Sequence, residues 1–382
     1  MSNPKTKIAI IGAGIQGASI AYHLCRLGYT AVTLFDPDHT SGASDVAAGM
    51  LAPVAEAVYG EELLLNMMLE SAQYWRELSI ELATLFNIDV AYRDGGSMLV
   101  GVTQNDVAEL ERTFRYYQSL NLKCELLKPS QARKIEPSIS PSISSAIYTE
   151  IDNQVDNRKA HLGLLEASRS KGATLLELEV TQIQSLNDGF KLTFGDSKTE
   201  IFDAIILCAG VGSFHIAGVP PYLRNVQRPI RGQVLRLRSI QNHLVPTMVI
   251  RTLFDGRSTY IVPRRDGEIV IGASIEEFGT DRTRRARSTY ELLRDSLGVV
   301  PSLGEFDLAE ISVGFRPTAS DNFPILGSIQ ENFHVATGHF RHGILLASYT
   351  GKLMAKLIDS GKLPTEVERF SPSRFNNDVQ IH

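Results

Sequence analysis

The chain has 382 residues, 43% apolar and 21% charged, with 38 Lys and Arg against 43 Asp and Glu for a formal net charge of −5. That length exceeds one ordinary domain and can bury a large core without staples. The weak acidity, with no long basic tract, points away from nucleic acid, whose phosphates demand a cationic surface. Its cysteines, Cys25, Cys124 and Cys208, form no CxxC pair, so neither a metal site nor a redox couple is expected and reduced thiols are.

The first seven residues are short and polar, without the charged start, apolar stretch and small-residue cleavage site of a signal peptide. No apolar run reaches the roughly 18 residues of a membrane span, so a soluble, cytoplasmic chain is expected. A continuous apolar run over 7–11 predicts a strand covered on both faces. Gly12-Ala13-Gly14-Ile15-Gln16-Gly17 follows, then Ile20, Ala21, Leu24 and Leu27 at helical spacing with Gly28 as the stop. A second strand over 30–35 ends in Asp36 and Pro37. In this order the glycines have separate tasks: Gly12 makes the tight turn, Gly14 admits a pyrophosphate to the backbone, and Gly17 lets helix and strand approach. Asp36 stands where a carboxylate accepts hydrogen bonds from a ribose and repels a 2′-phosphate. The pattern predicts a dinucleotide site and by itself leaves NAD and FAD open.

Further along, 41–53 is small and polar and is expected to be a loop running close to a flat ligand. A helix is predicted over 61–86, a strand over 98–100, a helix over 105–120, and a loop over 129–141. Gln154-Val155-Asp156 leads into a helix over 159–171. Strands are predicted over 175–184 and 190–194, joined by the turn Asn187-Asp188-Gly189. An apolar strand over 203–209 ends at Gly210, a second place where backbone can meet a cofactor. Arg282, Arg284, Arg285 and Arg287, beside Glu276, Glu277 and Asp281, suggest a solvated, self-compensating surface. An apolar helix over 344–358 begins with free N–H groups and positive dipole character; beyond Gly361 the tail reads as irregular.

Several segments together carry a resemblance: Gly12 to Gly17, Asp36 and the stretch 43–51; Tyr260-Ile261-Val262-Pro263-Arg264 with Val270-Ile271-Gly272-Ala273-Ser274; Val313-Gly314-Phe315-Arg316-Pro317; Pro324-Ile325-Leu326-Gly327; and the run from Ala336 through Gly338-His339-Phe340-Arg341-His342-Gly343-Ile344-Leu345 to Ala347. In kind and order they resemble the amino-acid-oxidising flavoproteins of the D-amino acid oxidase superfamily, most of all its bacterial glycine oxidase branch. The resemblance implies an α/β fold in which a Rossmann-like FAD-binding domain (1–85, 150–224 and 313–382) is interleaved with an α+β substrate domain (86–149 and 225–312) built on a large mixed or antiparallel sheet. It implies FAD held by Gly12, Gly14, Ile15, Gln16, Gly17, Asp36, Pro37, Ala43, Ser44, Ala48, Gly49, Met50, Val180, Ala209, Gly210, Gly338, His339, Phe340, Arg341, His342, Gly343, Ile344 and Leu345. Met50 and Ile275 would line the substrate pocket, and Arg316, Tyr260 and Arg341 would be catalytic. Since no cysteine lies in the C-terminal third, where the related sarcosine oxidases carry their flavin-linked thiol, the FAD is expected to be non-covalent.

The chemistry fits those residue types. The flavin supplies the redox step, so the protein's task is to hold a substrate carboxylate with its α C–H aimed at the ring. An arginine fork suits that task, and Arg316 and Tyr260 match the family's carboxylate-binding pair. The 339–345 stretch would place its backbone on FAD, with the helix start favouring negative charge on the reduced flavin. His339 and His342 would serve through their backbone, and no general base is required once the amine binds neutral. The implied reaction is oxidation of glycine, sarcosine or D-alanine by hydride transfer, giving imine or keto acid, ammonia and, with dioxygen, hydrogen peroxide, with a role in thiamine thiazole synthesis. A D-amino acid dehydrogenase with another electron acceptor and a sarcosine-type secondary amine oxidase are the alternatives, and a homo-oligomer is compatible with all three. Two positions depart from the pattern: Ile275 where a methionine lines the pocket, and His342 in place of a common asparagine.

Overall fold

In a computed structural model, residues 5–214, 216–239 and 244–376 are described; residues 1–4 of the polar start and 377–382 of the tail lie outside them. The apolar run Ile8–Ile11 forms a fully buried strand, and the helix Ile15–Arg26 and strand Val32–Phe35 follow it. Strands that are apolar along their whole length must be covered on both faces. Ile8–Ile11 accordingly lies at the centre of a six-stranded sheet, between Val32–Phe35 and Ala204–Leu207. Thr174–Leu176 extends one side; Phe333–Thr337 and Ile325–Gln330 extend the other, every pairing parallel but the last.

A second, eight-stranded sheet runs in the order Asp307–Ala319, Gln227–Arg238, Glu268–Gly272, Arg257–Pro263, Val249–Phe254, Ser97–Gly101, Ser145–Thr149, Glu125–Leu127. It is antiparallel except where Val249–Phe254 lies parallel to Ser97–Gly101. The fold is α/β with mixed sheets, as read from the sequence. The strand Asp307–Ala319 pairs with Gln227–Arg238 along its length, so the expected boundary at 313 falls inside a strand of the large sheet.

Four local expectations need correction. The segment 41–53 is not simply a loop: Ala43–Val46 is a helical turn and Met50–Leu51 pairs with Asn153–Gln154, because the small residues let the chain fold tightly against that segment. Within 129–141, Pro129–Ile135 is a helix, its start set by proline at the first turn and by Gln131 accepting from the Lys128 N–H, with Ala132 buried. The single strand expected over 175–184 is two, Thr174–Leu176 in the six-stranded sheet and Val180–Leu186 in a separate three-stranded one. Beyond Gly361 the chain is packed: Val367, Phe370 and Phe375 are buried, and the Leu326 N–H donates to the Phe370 carbonyl.

The C-terminal helix Gly343–Ser360 is buried along most of its length between Ile15–Arg26 and the long helix Glu62–Phe86. Trp75, fully buried on the long helix, donates its indole N–H to the Ile344 and Leu345 carbonyls, and Ser71 donates to the Leu345 carbonyl. These contacts fix the helix start beside the glycine turn. Among the described residues no helix is long and apolar enough to cross a membrane.

Candidate active site

A cavity of about 620 Å³ runs from the glycine turn to the face of the large sheet. At one end Gly12, Gly14, Ile15, Gln16, Asp36 and Pro37 line it. Gly12 has φ +104°, and an added Cβ would lie 2.5 Å from the Cys208 carbonyl oxygen. A Cβ on Gly17 would lie 2.0 Å from the Gly12 oxygen, so Gly17 packs helix on turn and does not reach the cavity. Asp36 accepts from the Ala13 N–H at 2.8 Å, and the Gln16 amide donates to the Gly343 carbonyl at 2.7 Å, tying the turn to the C-terminal helix. Among the described residues the buried Gln16 Oε1 has no partner. Ala43, Ser44, Ala48, Gly49 and Met50 form one wall, with Val180, Ala209 and Gly210 opposite the same space.

The far end lies on the large sheet. Tyr260 and Gly272 are register partners, and Tyr260 lies flat across that glycine: a Cβ there would be 2.3 Å from the hydroxyl. Gly232 does the same for Arg316, whose guanidinium would sit 2.7 Å from a Cβ. Two bare positions on neighbouring strands thus let a tyrosine and an arginine rest on the sheet, both facing the cavity. Arg316 donates only weakly, to the Arg231 and Ser274 carbonyls at 3.4 and 3.3 Å, and no ion pair is formed by it among the described residues. Burial lowers its pKa below that of an ordinary guanidinium, and burial raises that of the Tyr260 phenol. Ile275 stands at the rim, 72% exposed.

Arg341, Phe340, His339, Gly343 and Ile344 line the third side. The Arg341 guanidinium is committed to two carboxylates, Glu56 at 3.2 Å and Glu61 at 2.5 Å. Glu56 also pairs with Arg251 at 3.1 Å. Burial alone would raise the Glu56 carboxyl, but Arg251 and Arg341 hold it below the usual range. His342 is buried off the cavity with its ring nitrogens 3.9 Å from Glu56 and Glu61. Burial pushes His339 down to about 3, so it is a neutral imidazole, bonded to Thr350 at 3.3 Å. Gly338 and Leu345 shape the turn and the helix without lining the cavity.

Sequence reasoning missed Glu56, Arg251 and Ser258, which line this end, and Cys208, Glu179 and Thr181 along the sides. Arg251 is the register partner of Tyr260, hence on the same face, a pairing that only the structure reveals. Glu56 and Glu61 flank a turn whose place beside the C-terminal helix only the tertiary structure reveals. Of the basic cluster, Arg285 pairs with Asp281 at 2.9 Å and stacks on Phe278, whereas Glu276 and Glu277 pair with Arg231 and Arg228 from outside the cluster.

A strand–glycine turn–helix unit with an acid closing its second strand, opening on a long cavity that ends at a sheet, defines a dinucleotide-dependent oxidoreductase architecture. The cavity fits FAD on its own observations: open space before Gly14 apart from the Ser44 hydroxyl at 3.2 Å, the unpartnered Gln16 oxygen, and backbone of 43–50 and 209–212 along its length. Over residues 7–357 the sequence matches the family described as "DAO: FAD dependent oxidoreductase", and the chain belongs to it. It is an FAD-dependent enzyme. Among curated relatives it is 30% identical over 378 residues to the "Bifunctional protein ThiO/ThiG" of Synechocystis sp., covering 96% of this chain and 54% of that protein. It is 28% identical to the "Glycine oxidase" of Geobacillus kaustophilus over 98% of both chains. The chain thus spans about half the length of the bifunctional relatives and nearly all of the single-function one. Among solved structures, that of glycine oxidase from Geobacillus kaustophilus superposes with a TM-score of 0.87 at 26% identity, covering 97% of this chain and 99% of that one. Iminodiacetate oxidase from Chelativorans sp. BNC1 gives 0.83, also at 26%, over 96% and 99%.

Proposed function

We propose that this enzyme oxidises glycine and other small primary or secondary amino acids, sarcosine and D-alanine among them, at the C–N bond. One observation carries this reading: a half-buried Arg316 without a carboxylate partner among the described residues, lying beside Tyr260 at the sheet end of a cavity whose other end is the dinucleotide turn. Bound FAD supplies the two-electron acceptor. Arg316 presents a planar fork that matches one carboxylate, and binding it neutralises a cation the fold otherwise leaves unpaired. Tyr260, kept protonated by burial, donates a further hydrogen bond to the same carboxylate. With both fixed on one sheet face, the α-carbon has one orientation.

The amine binds neutral, and no side chain is assigned as its base. His339 is neutral but buried against Thr350, and Glu56 is engaged by two arginines. Arg341 acts by position: with Glu56 and Glu61 it closes this end of the cavity beside the helix start. Val46, Met50, Val234 and Ala273 supply an apolar wall that excludes water, and Ile275 borders the substrate entrance. Dioxygen takes the electrons and becomes hydrogen peroxide; the imine product hydrolyses to the 2-oxo acid and ammonia, or methylamine when the substrate is sarcosine. The likeness to ThiO/ThiG supports a role in supplying the glycine imine for the thiamine thiazole. FAD would be held without a covalent bond, by Gly12, Gly14, Ile15 and Gln16 of the glycine turn, the 43–50 wall, Val180, Ala209, Gly210 and the cavity-lining residues His339, Phe340, Arg341, Gly343 and Ile344, with Gly17, Gly338, His342 and Leu345 shaping the backbone behind them. The two interleaved halves would be 1–85, 150–224 and 313–382 for FAD and 86–149 and 225–312 for substrate, with the strand Asp307–Ala319 crossing the 313 boundary as part of the large sheet.

The test is an anaerobic panel of glycine, sarcosine and D-alanine, following loss of flavin absorbance. Parent enzyme is expected to bleach with at least one of them, and Arg316→Ala to need about a hundredfold more substrate, since a charge-assisted bidentate contact is lost. Equal bleaching by parent and variant would remove Arg316 from the site. Oxygen consumption on readmitting air separates an oxidase from an enzyme using another acceptor.

A further inference from the structure

The cavity wall formed by 44–50 is held from behind. The carbonyl oxygens of Ser44 and Asp45 both accept from the Asn157 amide, at 2.8 and 2.9 Å. Asp45 O accepts again from Arg236, at 3.1 Å. The Ala48 carbonyl accepts from Arg264 at 2.6 Å, and that of Gly49 from the Val155 N–H at 2.9 Å. From the cavity side the Ser44 hydroxyl accepts the Ile15 N–H at 2.9 Å, joining the wall to the glycine turn.

Arg264 is the unusual member. It is 6% exposed, and among the described residues it makes no ion pair. Its fork is spent on three oxygens: the Val155 carbonyl at 2.6 Å, the Ala48 carbonyl, and the Asn157 side chain at 2.9 Å. A buried guanidinium without a carboxylate costs stability, and an apolar residue of similar volume would avoid that cost. Burial pushes it down to about 10, with nearby Asp156 opposing and Arg236 adding to the shift. What the cation gains is geometric: a single rigid fork binds both the 153–157 segment and the cofactor wall. Arg264 also directly follows the strand Arg257–Pro263, which carries Tyr260.

We infer that Arg264 is a positioning residue for FAD: by holding the Ala48 carbonyl away from the cavity it fixes the 44–50 wall in its cofactor-binding shape and ties that wall to the strand that carries Tyr260. The inference rests on FAD binding and not on which amine is oxidised.

The experiment titrates FAD into flavin-free protein, followed by quenching of flavin fluorescence, with urea unfolding of the same apoprotein measured in parallel. Arg264→Met is expected to weaken FAD binding about tenfold, one charge-assisted hydrogen bond. Its apoprotein is expected to unfold at a somewhat lower urea concentration, because the Val155 and Ala48 carbonyls and the Asn157 oxygen lose their donor, with Arg264→Lys recovering part of the loss. Arg264→Lys, which keeps one contact, should fall between parent and Arg264→Met. In the flavin-free Met variant, limited proteolysis should cut within 41–53 faster than in the parent. Unchanged FAD affinity in Arg264→Met overturns the inference. So does a parallel loss of affinity and apoprotein stability with no recovery in Arg264→Lys, which is the signature of a residue that only packs. If Arg264→Met does not fold, Arg264→Gln takes its place: about tenfold weaker FAD binding is then expected, since the shorter neutral amide gives up the charge-assisted contact to the Ala48 carbonyl, and unchanged affinity overturns the inference.

Discussion

Arg316 owes its reach to a residue that was not part of the motif read for it. Gly232 lies beneath the guanidinium, and any side chain there would displace it. Gly232→Ala should therefore raise KM about tenfold to a hundredfold through misplacement of the fork, with FAD content unchanged. Steady-state kinetics beside the flavin-to-protein absorbance ratio decide this; an unaltered KM would mean that the arginine does not need its resting place on the sheet. The roles of Gly12 and Gly17, and the place of Asp36 just beyond the second strand, were legible in the sequence because each belongs to a local strand–turn–helix unit. Glu56, Arg251 and Arg264 were not. Each works across more than 100 residues of sequence, on Arg341, Ala55 and Ala48 respectively, and nothing in spacing encodes such a pairing. Arg341 illustrates the same limit: its motif was visible, but not that Glu56 and Glu61 occupy its guanidinium.

At the level of elements, long periodic segments were legible and short ones were not. The predicted helix over 61–86 is Glu62–Phe86, since its apolar stripe repeats over many turns. The helix Pro129–Ile135 is too short to show such a stripe, and the turn Ala43–Val46 is too poor in apolar residues. Helix packing behind the cavity depends on one close approach. A Cβ on Gly351 would lie 2.1 Å from the Ser19 hydroxyl and 2.8 Å from His23, where the C-terminal helix crosses Ile15–Arg26. Gly351→Ala is expected to cost about 1–3 kcal/mol by overpacking, read as a lower midpoint in thermal unfolding. The opposite sign, from better helix propensity, would show that the two helices can separate without loss.

For the molecule as a whole, acid is the informative variable. Burial pushes His23 and His334 down to about 4 and His339 to about 3, from 6.5. These imidazoles stay neutral in the fold while the unfolded chain takes up protons below pH 6.5, so their contribution is complete above that pH and is lost as pH falls toward 4. Each is worth up to about 3 kcal/mol over that range. Asp152, buried with its carboxylate bonded to Ser97 and the Val54 and Ala55 N–H groups, is pushed up to about 6 and works the other way between pH 4 and 6. The balance predicts a melting temperature that declines steadily below pH 6.5. His334→Gln, retaining a partner for Ser328, should flatten the decline; an unchanged slope would show that His334 does not carry it.

The central strand Ile8–Ile11 has neighbours at Val32–Phe35 and Ala204–Leu207, and the latter in turn needs Phe333–Thr337. The glycine turn at residues 12–17 is then braced by a helix that ends at Ser360. On the ribosome, the motif made first therefore waits for nearly the whole chain before it has a floor and a wall. FAD capture is then expected to follow synthesis of the helix Gly343–Ser360, and a chain truncated before that helix would carry an intact fingerprint with no assembled place to bind the cofactor.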